Sequence, residues 1–146
     1  MNITRICAWL KNHFLYKKYE STFTLVSGIA PLDSLLDGQY FVIVNSVLNN
    51  GVFQNTAESL AKLRPETFTG RIWSMSVPVD FEELIVDSNA FEAKVQELGV
   101  ADKGFSSESF GGYSYSLPSS APAYLTQWAT RLDRGFSIYR KIREDL

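Results

Sequence analysis

YFVIVNSVLNNGVFQ, residues 40–54, sets a run of β-branched and aromatic residues, Tyr40 to Val44, ahead of Asn49-Asn50-Gly51 and the apolar pair Val52-Phe53. Such a run favours a strand. Asn-Gly supplies the positive φ angles of a type I′ turn, so the stretch predicts a hairpin. Outward along the chain, ETFTGRIWSMSVP at residues 66–78 gives a further strand over 68–77. Trp73, Met75 and Val77 fall on one of its faces, and Ile72, Ser74 and Ser76 on the other. Thr22 to Leu25 alternates as a half-buried strand does, and Pro31, Asp33, Asp37 and Gly38 mark turns between. Residues 56–63 read as either a short helix or an irregular loop. The region 20–77 is therefore expected to form a small antiparallel sheet or a partial barrel.

Helical periodicity flanks this region. Asn2 is placed to cap a first helix. Ile3, Ile6, Cys7, Leu10 and Phe14 share one face of it, with an end expected near Tyr16 and Trp9 off the stripe, set to cover a neighbouring element of this chain or another subunit. Pro78 suits a first helical turn, and Asp80 with Glu83 resembles a capping box. Phe81, Leu84, Ile85, Phe91, Val95 and Leu98 form the apolar stripe of a long central helix that Gly99 would stop. Glycine and serine then crowd residues 99–120, which cannot bury much alone and read as a linker or as an arm ordered by a partner. A last helix begins near Ser120-Ala121-Pro122, with Leu125, Trp128, Leu132, Phe136, Tyr139 and Ile142 at helical spacing and Gly135 as a weak point. The fold class is α+β: a compact body over 1–99, a Gly/Ser/Tyr-rich segment over 100–120 and a basic helix over 121–146.

Composition narrows function. Of 146 residues, 45% are hydrophobic and 21% charged, as in an ordinary globular protein with a sizeable core. No stretch approaches the roughly 18 apolar residues of a membrane helix, and the N-terminus lacks the pattern of a secretory signal. One cysteine, Cys7, makes no internal disulfide, as expected for a reducing cytoplasm. With one histidine, His13, expected in the first helix, neither a multi-His/Cys zinc site nor a Ser-His-Asp arrangement is at hand. Glu82-Glu83 and Glu144-Asp145 are neighbours that do not face each other on a helix, so they read as solvated ends rather than an acid/base pair. No phosphate-binding glycine motif occurs, and no cofactor is expected. Charge is uneven: residues 54–108 carry ten Asp/Glu against five Lys/Arg, whereas the last helix carries Arg131, Arg134, Arg140, Lys141 and Arg143. Opposite signs in one small chain favour contacts between copies or with a charged partner, although cations also suit a helix C-terminus.

Two phrases, YFVIVNSVLNNGVFQ followed by ETFTGRIWSMSVP, and SESFGGYSY at residues 107–115 followed by RLDRGFSIYRKI, resemble in their order small structural proteins of tailed bacteriophages, specifically the head–tail connector (head-completion adaptor) proteins of the neck. The resemblance covers about residues 20–143. It departs in Asn49-Asn50-Gly51, where Asn-Asp-Gly is more usual, and in a β-rich 20–77 where many connectors are helical. It implies a virion protein, assembled in the bacterial host cytoplasm, that forms a dodecameric ring under the portal protein and offers its other face to the next neck or tail protein. DNA would pass through the pore without specific binding, and no catalysis or membrane is involved. The interface would use Phe105, Phe110, Tyr113 and Tyr115 of the arm, which could add a strand to a neighbour. From the last helix it would use Trp128, Arg131, Arg134, Phe136, Tyr139 and Arg140, an aromatic-plus-arginine set typical of anchors; the other reading of that stripe is packing on its own core. The alternatives are a stopper or tail-completion protein lower in the neck, a nucleic-acid module using the same cations, and an enzyme.

Overall fold

A computed structural model describes residues 2–98 and 121–146. Among these the chain forms four helices and four strands: α1 (Ile3–Leu10), β1 (Leu15–Leu25), β2 (Tyr40–Val44), β3 (Gly51–Gln54), α2 (Ala57–Leu60), β4 (Glu66–Met75), α3 (Val79–Glu97) and α4 (Ala123–Ser137). They divide into two compact units. Of the described residues, one holds 13–77 with 145–146, and the other holds 2–12 together with 78–98 and 121–144. The long central helix and the C-terminal helix, read from sequence as belonging to separate segments, thus share a unit.

The sheet unit is α+β and antiparallel, with strand order β1-β4-β2-β3. It is an open sheet, not a barrel. β4 alternates as its sequence demands: Phe68, Gly70, Ile72 and Ser74 are buried along one side. The strand ends at Met75, so Ser76 and Val77 lie past it, and the Ser76 N–H donates to the carbonyl of Phe14 at 2.7 Å. β1 is far longer than the Thr22–Leu25 stretch that alternation marks, because charged and polar residues from Lys17 to Thr22 pair along β4 while remaining largely exposed. Leu25, Phe41, Ile43, Phe68 and Ile72 form a core with Leu35 of the β1–β2 connection and with Leu60 and Leu63 at and beyond α2. Phe41 stacks on Phe53 with centroids 5.9 Å apart, and Phe23 tilts against Phe68 at 5.7 Å. The segment 56–63 resolves in favour of a short helix, with the Thr56 side chain accepting from the Ser59 N–H.

The hairpin is present but its turn is not type I′. Register pairs Ile43 with Gly51, which leaves a loop from Val44 to Asn50. Positive φ occurs at Asn45 (68°) and Gly51 (139°), not at Asn49 or Asn50. The two asparagines instead shape the loop through their side chains. Asn50 accepts from the Ser46 N–H at 2.7 Å and donates back to the Ser46 carbonyl at 2.7 Å.

In the helical unit, Asn2 caps α1 by accepting from the Thr4 N–H at 2.8 Å. α1 stops at Leu10 rather than near Tyr16. Lys11 turns left-handed (φ 52°), and the Lys11 and Asn12 N–H groups donate to the carbonyls of Ala8 and Cys7, a Schellman closure. Phe14 and His13 therefore lie outside the helix. α3 starts without a capping box: Pro78 is its N-cap with no side-chain hydrogen bond, and Asp80 and Glu83 are inside the helix. Phe81, Ser88, Phe91 and Val95 are its buried residues, while Leu98 is exposed, and Gly99 lies outside the described residues. α4 buries Leu125, Ala129, Leu132 and Phe136, and it runs through Gly135 to Ser137, so Ile142 is past its end and exposed. Gly135 has a steric reason to be small. A Cβ there would sit 2.7 Å from Leu84 Cδ2, so it marks where α3 and α4 approach closely.

Gly70 is the most constrained glycine of the sheet, since a Cβ would meet the Val44 carbonyl at 2.6 Å and the Phe68 ring at 2.9 Å. Gly70→Ala is expected to destabilise the sheet unit by about 2 kcal/mol, within the range for overpacking. The readout is a lower denaturant midpoint at unchanged m.

Candidate interaction surface

Helix α4 carries most of the describable residues expected to form an interface, and its turn angle sorts them. Phe136 is fully buried, with its ring edge-to-face on Phe81 at 5.6 Å. Tyr139 follows the helix end and stands edge-on to Phe81 at 5.2 Å. Trp128 is half-buried: its ring meets Phe91 at 5.3 Å, and its Nε1 donates to Asp87 Oδ1 at 3.1 Å. These three residues expected at the interface thus make ring contacts inside their own unit, as the alternative reading of the stripe, packing on its own core, describes. The physical reason is period: they lie on or beside the face that holds Leu125 and Leu132.

Arg131 and Arg134 occupy the opposite face. With Thr126, Gln127 and Thr130 they line a shallow depression of about 380 Å³. Neither arginine forms an ion pair or hydrogen bond among the described residues. Arg140 lies elsewhere, its guanidinium 4.8 Å from the ring centroid of Trp9, a cation–π contact that places Trp9 against its own chain. Burial pushes the Asp133 carboxyl up, with Arg140 pulling against it. The expected arm residues Phe105, Phe110, Tyr113 and Tyr115 lie outside the described residues.

After α4 the chain runs along α1. The Lys141 N–H donates to the Leu10 carbonyl at 2.8 Å, Asn12 Nδ2 donates to the Tyr139 carbonyl at 2.8 Å, and Lys11 Nζ reaches the Ile142 carbonyl at 3.4 Å. Nearby, burial first and Glu144 second push the Cys7 thiol up to about 12, so it stays protonated and inert.

A second arrangement, in the sheet unit, escaped the sequence reading. Glu66 opens β4 and turns its carboxylate into the β2–β3 loop. It accepts from the Ser46 hydroxyl, from the Val47 N–H at 2.8 Å and from Asn49 Nδ2 at 2.9 Å. Asn49 is itself buried and ties the loop to the Arg64 backbone through both side-chain atoms, at 2.9 and 2.8 Å. The loop tip presents Val47, 87% exposed, beside Leu48. The only advance signal is Asn49-Asn50, which reads equally well as a turn.

Among the described residues no group of His, Cys, Asp and Glu could hold a metal ion, and no helix is long and apolar enough to cross a membrane. Comparison with protein-family models, curated proteins and solved structures returns no match.

The Glu66 carboxyl is held below its ordinary value chiefly by the Ser46 hydroxyl and then by the Val47, Asn49 and Leu48 donors, against burial that raises it. A lowered folded-state value means the loop's stabilisation is present above the ordinary carboxylate range and lost as pH falls through that lowered value. The protection of the Val47 amide, measured against its intrinsic exchange rate, should therefore fall as pH drops through that lowered value. Glu66→Gln should abolish that pH step while leaving exchange in β1 unchanged.

For Trp128, replacement by Ala is expected to cost about 2–3 kcal/mol, toward the low end for an aromatic because the residue is only half-buried. Trp128→Phe should cost about 1 kcal/mol, the worth of the hydrogen bond to Asp87. Thermal melts of the two variants distinguish packing from the indole N–H.

Proposed function

We propose that this chain is a structural protein of the tailed-phage neck, an adaptor that assembles as a ring between the head portal and the tail and closes the head after DNA packaging. Two things support the reading. One is the order of sequence phrases along the chain, from the Tyr40–Gln54 hairpin through the Phe68–Met75 strand to the arginine-bearing last helix. The other, which carries it, is the division of α4: its apolar side is spent in its own unit, and two arginines without ion partners among the described residues stand outward on the far side. A helix built this way is anchored firmly enough to hold a cationic face at a fixed place on a protomer, as a ring subunit requires.

In this reading the chain catalyses nothing and binds DNA only as a passage. Its partners are further copies of itself, the portal, and the next neck or tail protein, and it resides in the virion. The segment 105–117 would reach a neighbour by strand addition, with Phe110, Tyr113 and Tyr115 in pockets.

Gold-labelled antibody against the chain, applied to purified particles of the phage or prophage that encodes it, should mark the head–tail junction. Purified chain should also retain the portal in a pull-down. Retention of the tail tube instead would move the protein to a stopper or tail-completion role. Absence from the particles would overturn the reading.

A further inference from the structure

The helical unit carries two outward faces of opposite character. On α3, the side away from Phe81, Phe91 and Val95 holds Val79, Glu82, Glu83, Val86 and Ala90, which with Asp87 line a shallow groove of about 450 Å³. Val79 is 68% exposed and Val86 69%. These residues recur at i, i+3, i+4, i+7 and i+11, which makes a continuous stripe along the helix. On α4, the side away from the core holds Thr126, Gln127, Thr130, Arg131 and Arg134 at i, i+1, i+4, i+5 and i+8. Glu82, Glu83, Arg131 and Arg134 all lack an ion pair or hydrogen bond from their side chains among the described residues. The acidic pair lies within the first two turns of α3.

We propose that the α4 face of one copy docks on the α3 face of the next, with Arg131 and Arg134 opposite Glu82 and Glu83 and the aliphatic stems of the arginines covering Val79 and Val86. The occupant is a second copy of this chain because both halves of the complementary pair belong to one polypeptide and are present in equal number. The apolar valines supply the affinity, since exposed ion pairs contribute little. The charges supply register and exclude the wrong pairing, because α3 on α3 and α4 on α4 both set like charges together. The contact is heterologous: each copy uses different surfaces to face its two neighbours, so the assembly propagates and closes if its rotation allows. One helix face on one helix face is small for a stable interface, and ring closure strengthens it by making the last contact intramolecular. The proposal deepens the ring reading above by naming the surfaces, and it is tested apart from it.

The test uses the full chain and sedimentation velocity over a concentration series. The wild type should self-associate, less so as salt rises. The double variants Arg131→Glu/Arg134→Glu and Glu82→Lys/Glu83→Lys should each associate about tenfold more weakly or not at all. Mixed in equal amounts, they should assemble again, because the reversed α4 of one meets the reversed α3 of the other and the unreversed faces still match. The neutral pairs Arg131→Gln/Arg134→Gln and Glu82→Gln/Glu83→Gln, with melts near wild type, guard against misfolding. A wild type that stays monomeric overturns the proposal, as does a double variant that assembles like wild type or a mixture that fails to assemble. If particle labelling marks the junction while these swaps change nothing, the docking surfaces are wrong and the neck reading stands. If the swaps behave as stated and no particle contains the chain, the converse holds.

Discussion

The sheet unit depends on the double pairing of β4. This strand lies between β1 and β2, so it must satisfy two ladders at once and present Phe68, Gly70 and Ile72 to a single core. The absence of a side chain at Gly70 lets the Val44 carbonyl and the Phe68 ring come close. Both ends of β4 carry further constraints. At its start, Glu66 organises the β2–β3 loop, and at its end the Met75 carbonyl accepts from Gln39 Nε2 at 3.2 Å. The connections before β2 and after β3 are closed in the same way, with the Gly38 N–H on the Asn55 carbonyl and the Gly28 N–H on the Leu60 carbonyl.

What the sequence made legible follows from how local each signal is. The Tyr40–Val44 strand, the alternation through Ile72-Trp73-Ser74, the Asn2 cap and the stripes of the two long helices depend on neighbours within a turn or a pleat, and they hold except at the C-terminal ends of the stripes, where Leu98 and Ile142 are exposed. Asn49-Asn50-Gly51 misled because asparagine has two ways to make a turn. One is its backbone in the left-handed region, and the other is its side chain as a surrogate backbone group. Here a distant carboxylate, Glu66, selects the second. The end of α1 misled because lysine rarely enters the left-handed region; the chain's later return to Asn12 and Leu10 accompanies that stop. Bonds such as that from Lys141 to Leu10 join backbone to backbone across the chain and leave no mark in residue identity.

The interaction surface shows the same limit in another form. Composition alone joins Trp128, Arg131, Arg134, Phe136 and Tyr139 into one aromatic and cationic set. Helical phase splits it: tryptophan and phenylalanine serve the contact with α3, and the two arginines serve the outside. The acidic side of α3 was visible as a solvated helix start, but its exposed valines were not, because Val79 and Val86 count as apolar in any tally and only the fold turns them outward.

The main segment of the sheet unit runs from residue 13 to residue 77, and those two points are neighbours: Leu15 pairs with Met75, and the backbone of Ser76 bonds to Phe14. It is an insertion spliced between α1 and α3. The same adjacency makes the junction at residues 13 and 77 a natural place to excise the sheet, bridge the gap with a short turn and ask whether the helices fold without it.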